Sequence, residues 1–144
     1  MEELADLRTY IEQGRYADAL HLLGEMDEMS REDKINKIES FLVVLLLHLI
    51  KQQAEGRTTR SWDVSIRNAV RQIVKSNQRQ RAGGCYLDRQ AMSAAIDDTY
   101  ATALDFASLE AFGGLYESER LTTLVKEATV KAKAMRLIWD AAPL

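Results

Sequence analysis

The chain contains one proline, Pro143, at the second-to-last of its 144 positions. Proline fixes its φ angle and lacks the amide hydrogen that a helix interior needs, so a chain without interior prolines can be helical almost throughout. Glycines at positions 14, 24, 56, 83, 84, 113 and 114 are then the main helix breakers, and they divide the sequence into about six helical stretches. The sequence therefore predicts an all-α fold, a compact bundle of about six helices.

The longest apolar run, FLVVLLLHLI at residues 41–50, is interrupted only by His48. A membrane-spanning helix needs about 20 apolar residues, so this run is too short to cross a bilayer. A helix that is apolar on all sides is usually buried on all sides. We therefore expect a soluble domain around a buried central helix, from about Arg31 to Gln53, with Ser30 and Asp33 forming a capping box at its start.

The other helices are predicted from apolar periodicity, and residues 1–144 are predicted to form a single domain. The helix after Ser61, the predicted N-cap, should face inward with Trp62, Ile66, Ala69, Val70 and Ile73. In the last helix the predicted buried side consists of Leu121, Leu124, Val125, Ala128, Ala132 and Met135. The predicted ranges are Glu3–Gln13, Tyr16–Met26, Trp62–Lys75, Leu87–Ala111 and Ser118–Ala141, the last two forming a C-terminal helical part at about 87–141.

Cysteine content and the first residues bear on location. A single cysteine, Cys85, cannot form an intrachain disulfide. The first residues, MEELADLR, lack the basic and apolar regions of a secretory signal. We expect a cytoplasmic protein in a reducing compartment.

Charge is strongly segregated along the chain, although the net charge is only −3. Residues 51–89 carry nine basic and three acidic side chains, whereas the flanking parts are acidic. Within the basic segment 57–81, a helical stripe could contact nucleic-acid phosphates, or it could lie against the acidic flanks of the same chain. The stripe consists of Arg67, Arg71 and Lys75, extended by Arg57, Arg60, Arg79 and Arg81.

The sequence also resembles a known family. The matching residues are His48, Leu49 and Lys51 in LLLHLIK, Arg60, Ser61 and Trp62 in RSW, and Ile66, Arg71 and Ile73. In these positions, over about residues 10–76, the chain is similar to the bacterial family called domain of unknown function 29. The resemblance implies a small, wholly helical bacterial domain and brings no activity, substrate or cofactor with it.

Several polar residues could form a site. His48 could be a metal ligand or general base, or a neutral core histidine bonded to a carbonyl or to a carboxylate such as Asp63. Other ligand pairs, His21 with Glu25 and Asp97 with Asp98, supply two ligands at most. The candidate binding residues are His48, Lys51, Arg60, Trp62, Arg67 and Arg71, while no catalytic residue, metal or cofactor is predicted.

The preferred function is a non-enzymatic protein-interaction or regulatory module, with a protein partner or self-association and without a membrane or known small-molecule partner. Many helices and few convergent polar groups are more typical of a binding scaffold than of an active site. Nucleic-acid binding through segment 57–81 is the alternative. An enzyme or metal site around His48 is a second alternative.

Overall fold

A computed structural model describes residues 2–79 and 83–143 of the chain. These residues form six α-helices and one short 3-10 helix, and within them no strand is formed. The all-α prediction, with about six helices, is therefore confirmed. The α-helices are α1 (Glu2–Glu12), α2 (Tyr16–Glu55), α3 (Arg60–Asn77), α4 (Arg89–Glu110), α5 (Ser118–Thr122) and α6 (Glu127–Ala141), and the 3-10 helix spans Ala111–Gly114.

The chain divides into two compact units, an N-terminal unit of Met1–Lys34 and a C-terminal unit of Ile35–Leu144. The N-terminal unit contains α1 and the first part of α2. Among its described residues only Ala19 is buried. Its large exposed apolar side chains are Leu4, Ile11, Tyr16, Leu20, Leu23 and Met29. This unit therefore has almost no core of its own.

Helix α2 is 40 residues long and replaces the two separate helices that the sequence predicted. Gly24, Ser30 and Asp33 lie inside it, so the predicted break and the predicted capping box are wrong. A glycine in a helix interior costs only about 1 kcal/mol relative to alanine, which a long run of good helix formers can absorb. Among the described residues, no helix combines the length and apolarity needed to cross a membrane.

The C-terminal unit holds the hydrophobic core, to which each of its larger helices contributes. In α3, Ile66, Ala69, Val70 and Ile73 are buried as predicted, and Trp62 is partly buried. In α2, Phe41, Val43 and Val44 remain partly buried, so enclosure of this helix on all sides stays a prediction. Large side chains that are fully buried include Ile38, Leu42, Leu45, Leu46, Ile50, Met92, Ile96, Leu121 and Ile138.

The start of α3 differs from the prediction. The N-cap is Thr59, whose side chain accepts a hydrogen bond from the Trp62 amide, whereas Ser61 is an exposed residue inside the helix. Both residue types are good caps, so local sequence does not distinguish them. The extended backbone that an N-cap needs is found at Thr59.

The C-terminal helices also differ in phase from the prediction. The expected helix over residues 118–141 is two helices, α5 and α6, with a break at residues 123–126. Leu121 is buried as predicted, and Leu124, Val125 and Met135 are partly buried against the core. Ala128 and Ala132 are exposed, because the break resets the helical phase. The buried residues of α6 are Val130, Ala134 and Ile138. In α4, which starts later than predicted, Ala94 is exposed and Ala95 is buried.

Candidate functional site

Two of the predicted binding residues, Lys51 and Trp62, meet at the C-terminal end of α2. The Lys51 side chain is only 4% exposed, and its Nζ lies 4.4 Å from the centroid of the Trp62 ring. The same Nζ lies 3.1 Å from Oε1 of Glu110, at the end of α4. The Cζ of Arg57 lies 4.8 Å from the centroid of the same indole. We call Lys51, Arg57, Trp62 and Glu110 the Trp62 cluster.

Within the Trp62 cluster the buried ammonium is already satisfied. A buried charge is costly unless it is paired, and Lys51 has both a carboxylate and an aromatic face as partners. Glu110 is itself half exposed, so the pair lies at the edge of the core. These contacts join α2, α3 and α4 and leave Lys51 little capacity for an added ligand.

Glu55 extends the cluster toward the 3-10 helix. Its carboxylate accepts hydrogen bonds from Nε of Arg57 (2.9 Å) and from the amide of Phe112 (3.2 Å). Burial opposes ionisation of Glu55, but the Phe112 and Arg57 hydrogen bonds outweigh it and lower the pKa of this carboxyl. Glu55 thus holds the backbone of Phe112, which adopts a left-handed conformation at φ 52°.

His48 lies one helical turn before Gln52 and is partly buried. Its Nδ1 is buried and has no hydrogen-bond partner among the described residues. Burial lowers the pKa of His48 below its ordinary value of 6.5, nearby Lys51 lowers it further, and Glu110 partly offsets both. The structure therefore contains a histidine that favours the neutral form.

Asp63, one of the partners considered for His48, does not form a hydrogen bond with it. Oδ1 of Asp63 instead accepts from the hydroxyl of Thr58 (2.7 Å) and from Nε2 of Gln52 (3.3 Å). Asp63 is therefore engaged in the loop between α2 and α3. It forms no ion pair with Arg67, which lies one helical turn further along α3.

The outer face of α3 carries the remaining predicted binding residues. Arg60, Arg67 and Arg71 are exposed, as is Lys75, and we call these four residues the basic face. They fall within an arc of about 80° at 100° per residue, opposite the buried side of the helix. Within the described parts of the chain, none of them forms an ion pair.

The other arginines of the predicted basic stripe are placed differently. Arg57 belongs to the Trp62 cluster and pairs with Glu55. The Cζ of Arg79 lies 5.7 Å from the centroid of the Tyr86 ring. Arg81 lies outside the described residues. Among the described residues, the helical part of the predicted stripe is therefore limited to the four residues of the basic face.

The predicted ligand pairs make local polar contacts instead. Nε2 of His21 lies 3.1 Å from Glu25, and Asp97 lies 2.9 Å from Nζ of Lys131. No three His, Cys, Asp or Glu side chains lie close enough to hold a metal ion together in residues 2–79 and 83–143.

A surface that the sequence did not indicate lies at the end of α4. Four large apolar side chains spaced three residues apart are exposed, and we call them the interaction patch. They are Phe106 (50% exposed), Leu109 (70%), Phe112 (37%) and Leu115 (72%). Their three-residue spacing resembles an inward helical face, and only the tertiary structure reveals that they face water.

The turn after α4 brings the chain back toward the end of the helix. Phe106 and Leu109 are neighbours on the helix surface, one turn apart. A Cβ atom at Gly114 would lie 2.9 Å from the carbonyl oxygen of Leu109, so the chain returns against Leu109 just before Leu115. The Phe112 ring packs edge-on against Tyr116 with centroids 5.4 Å apart. The last turn of α4 and the turn that follows it therefore present these four side chains to solvent within ten residues of chain.

With this arrangement described, comparison with known proteins gives a family. The chain belongs to the family described as domain of unknown function DUF29, whose sequence profile matches residues 3–123. The match confirms the resemblance and extends it beyond the expected range, through α4 and the interaction patch. Neither a curated protein nor a solved structure matches the chain.

Proposed function

We propose that this chain is a non-enzymatic protein-interaction module that binds a partner through the interaction patch. The observation that carries the proposal is the exposure of four large apolar side chains at the end of α4 and in the turn after it: Phe106, Leu109, Phe112 and Leu115. A contiguous exposed apolar patch with a polar surround is typical of a protein-binding surface. Binding would remove these side chains from water at about 25 cal/mol per Å² of apolar area buried.

The support and geometry of the patch also favour binding. Glu55 fixes the Phe112 amide, and the Trp62 cluster anchors Glu110 immediately before the 3-10 helix. A surface held by these contacts is pre-organised, so less conformational entropy is lost when a partner docks. The partner is another protein or a second copy of this chain, which sedimentation velocity distinguishes.

The proposal includes the cytoplasm of a bacterial cell as its setting. The thiol of Cys85 is exposed and unpaired, which fits a reducing compartment. The bacterial setting follows from the resemblance alone.

The test compares affinity capture from the native cell by the full-length protein and two variants. We expect proteins bound by the wild type to be lost with the Leu109→Ser, Leu115→Ser double variant, because these side chains are the most exposed of the patch. Leu20→Ser is the matched control, since Leu20 is 69% exposed but lies in the N-terminal unit. Retention of the same partners by the patch variant, with its helix content and melting temperature unchanged, would refute the proposal.

Nucleic-acid binding is a second candidate function, favoured by the basic face. Four exposed cations without carboxylate partners among the described residues could each contact a phosphate. The expected result is binding of mixed-sequence DNA or RNA at low salt that is weakened by Arg67→Glu with Arg71→Glu. Arg8→Glu is the control, because Arg8 is exposed in the N-terminal unit. Absence of salt-sensitive binding in a fluorescence titration would remove this candidate.

A further inference from the structure

The interaction patch lies in the most acidic part of the C-terminal unit. Residues 90–119 contain six carboxylates and no lysine or arginine. Two of these carboxylates are neutralised by cations from elsewhere: Asp97 pairs with Lys131, and Glu110 with Lys51. Asp98, Asp105, Glu117 and Glu119 form no ion pair among the described residues. Arg120 follows this segment, with its Cζ 5.8 Å from the centroid of the Tyr116 ring. Four unpaired carboxylates against this one arginine leave the segment around the patch net negative.

The acidic and apolar residues share one face of α4. At 100° per residue, Asp98, Asp105 and Leu109 fall within about 40° of one another, with Phe106 beside them. All four are exposed. This face thus presents carboxylates along its length and apolar side chains at its C-terminal end. Beyond it, Leu115 is followed by the exposed Glu117.

From this juxtaposition we infer that the interaction patch binds a basic amphipathic helix of a partner protein. The apolar stripe of such a helix covers Leu109 and Leu115, and its lysine or arginine side chains lie opposite Asp98 and Glu117. This is the helix-docking mode of peptide recognition, in which anchors at i, i+3 or i+4, and i+7 provide affinity. Charge complementarity at the rim selects the partner and speeds its encounter. The inference rests on the proposed function and names the chemistry of its partner.

A second copy of this chain meets these requirements less well. Two patches facing each other would bring their acidic surroundings together, and like charges across an interface are unfavourable. The most basic helix, α3, already buries its apolar side in its own core, leaving only Val64 exposed among the large apolar residues of that helix. A helix from another protein, with its apolar stripe free, is the better match.

The inference is tested with three synthetic peptides and the full-length protein. The peptides share a leucine stripe at helical spacing over about 18 residues, or five turns. Their flanking positions carry lysine, glutamine or glutamate. Fluorescence anisotropy titrations at low and high salt then compare their affinities. We expect the lysine peptide to bind at least about tenfold more tightly than the glutamate peptide, with a difference that shrinks at high salt.

Two sets of variants locate the binding. Leu109→Ser with Leu115→Ser should abolish binding of the lysine peptide. Asp98→Lys with Glu117→Lys should weaken it by about tenfold. Glu28→Lys with Asp140→Lys makes the same change in net charge away from the patch and should have little effect. These four acidic residues are all exposed, so the folded structure should tolerate the changes.

Each outcome decides the inference. If the lysine and glutamate peptides bind the patch equally, the interaction module stands but its basic partner does not. If no peptide binds, or if the lysine peptide binds the Leu109→Ser, Leu115→Ser variant as it binds the wild type, the inference is overturned. Loss of captured cellular partners in the same variant would then still support the proposed function.

Discussion

The two units differ in how far they bury the apolar side chains of α2. In the N-terminal unit, the first part of α2 leaves Leu20 and Leu23 in water, and only Ala19 is buried among the described residues. In the C-terminal unit, the later part of α2 buries Leu42, Leu45 and Leu46 completely. The comparison teaches that helix continuity and core formation are separate properties. Local helix propensity carries α2 through both units, whereas the density of apolar residues decides where a core forms.

Matched leucines in the two halves of α2 provide the largest expected contrast. Leu46→Ala removes a fully buried side chain and should lower the free energy of unfolding by about 2–5 kcal/mol, from lost transfer energy and the cavity left behind. Leu20→Ala changes an exposed side chain and should alter stability by less than about 0.5 kcal/mol. Urea unfolding of the full-length variants measures both. Equal losses of unfolding free energy in the two variants would contradict this distinction between the units.

One ion pair in each unit provides the next contrast, in the free energy of unfolding. Glu110→Gln leaves the buried Lys51 ammonium without its carboxylate and should cost about 1–3 kcal/mol, toward the lower end because Glu110 is half exposed. Adding Lys51→Met should restore much of the loss by removing the buried charge. Glu12→Gln breaks the exposed Arg8–Glu12 pair of the N-terminal unit and should cost less than about 0.5 kcal/mol. A double-mutant cycle from urea unfolding tests this, and no coupling between Lys51 and Glu110 would contradict it.

The two candidate caps of α3 differ by a smaller amount. Thr59→Ala removes the acceptor for the Trp62 amide and should destabilise the protein by about 1 kcal/mol. Ser61→Ala changes an exposed position inside the helix and should have almost no effect. Thermal unfolding of both variants decides which residue is the N-cap. A larger loss for Ser61→Ala would contradict the observed helix start.

The pH dependence of stability provides the smallest and most local contrast. Because the pKa of His48 is lowered in the folded protein, the unfolded chain binds the proton more tightly. His48 therefore favours unfolding as the pH falls below 6.5, its ordinary value, and this penalty is absent above that pH. His48→Leu should remove this part of the pH dependence, whereas His21→Leu, at an exposed position, should retain it. Urea midpoints measured on both sides of pH 6.5 check the prediction.

Sequence reasoning reached the features that depend on local pattern. The absence of interior proline predicted an all-α fold, and the spacing of Ile66, Val70 and Ile73 predicted the inward face of α3. It did not place the start of α3 correctly, because Thr59 and Ser61 are both good N-cap residues. It also predicted a helix break near Gly24, where α2 in fact continues, because one glycine destabilises a long helix only slightly.

The candidate site was less predictable because its contacts join distant segments. Lys51 and Glu110 are 59 residues apart, and no local pattern connects them. Predicted binding residues Lys51 and Trp62 do meet, but they form an internally satisfied cluster. The spacing of Phe106, Leu109 and Phe112 is compatible with burial or exposure. The tertiary structure, not the spacing, shows that these side chains face water.

Amide hydrogen exchange of the full-length protein tests the contrast between the two units most directly. Protection should be strong in α2 from Ile38 to Ile50 and in the buried parts of α3 and α4. It should be weak throughout residues 2–34, although these residues are also helical. Equal protection along the whole of α2 would contradict this account, because it would mean that the N-terminal unit is as stable as the core.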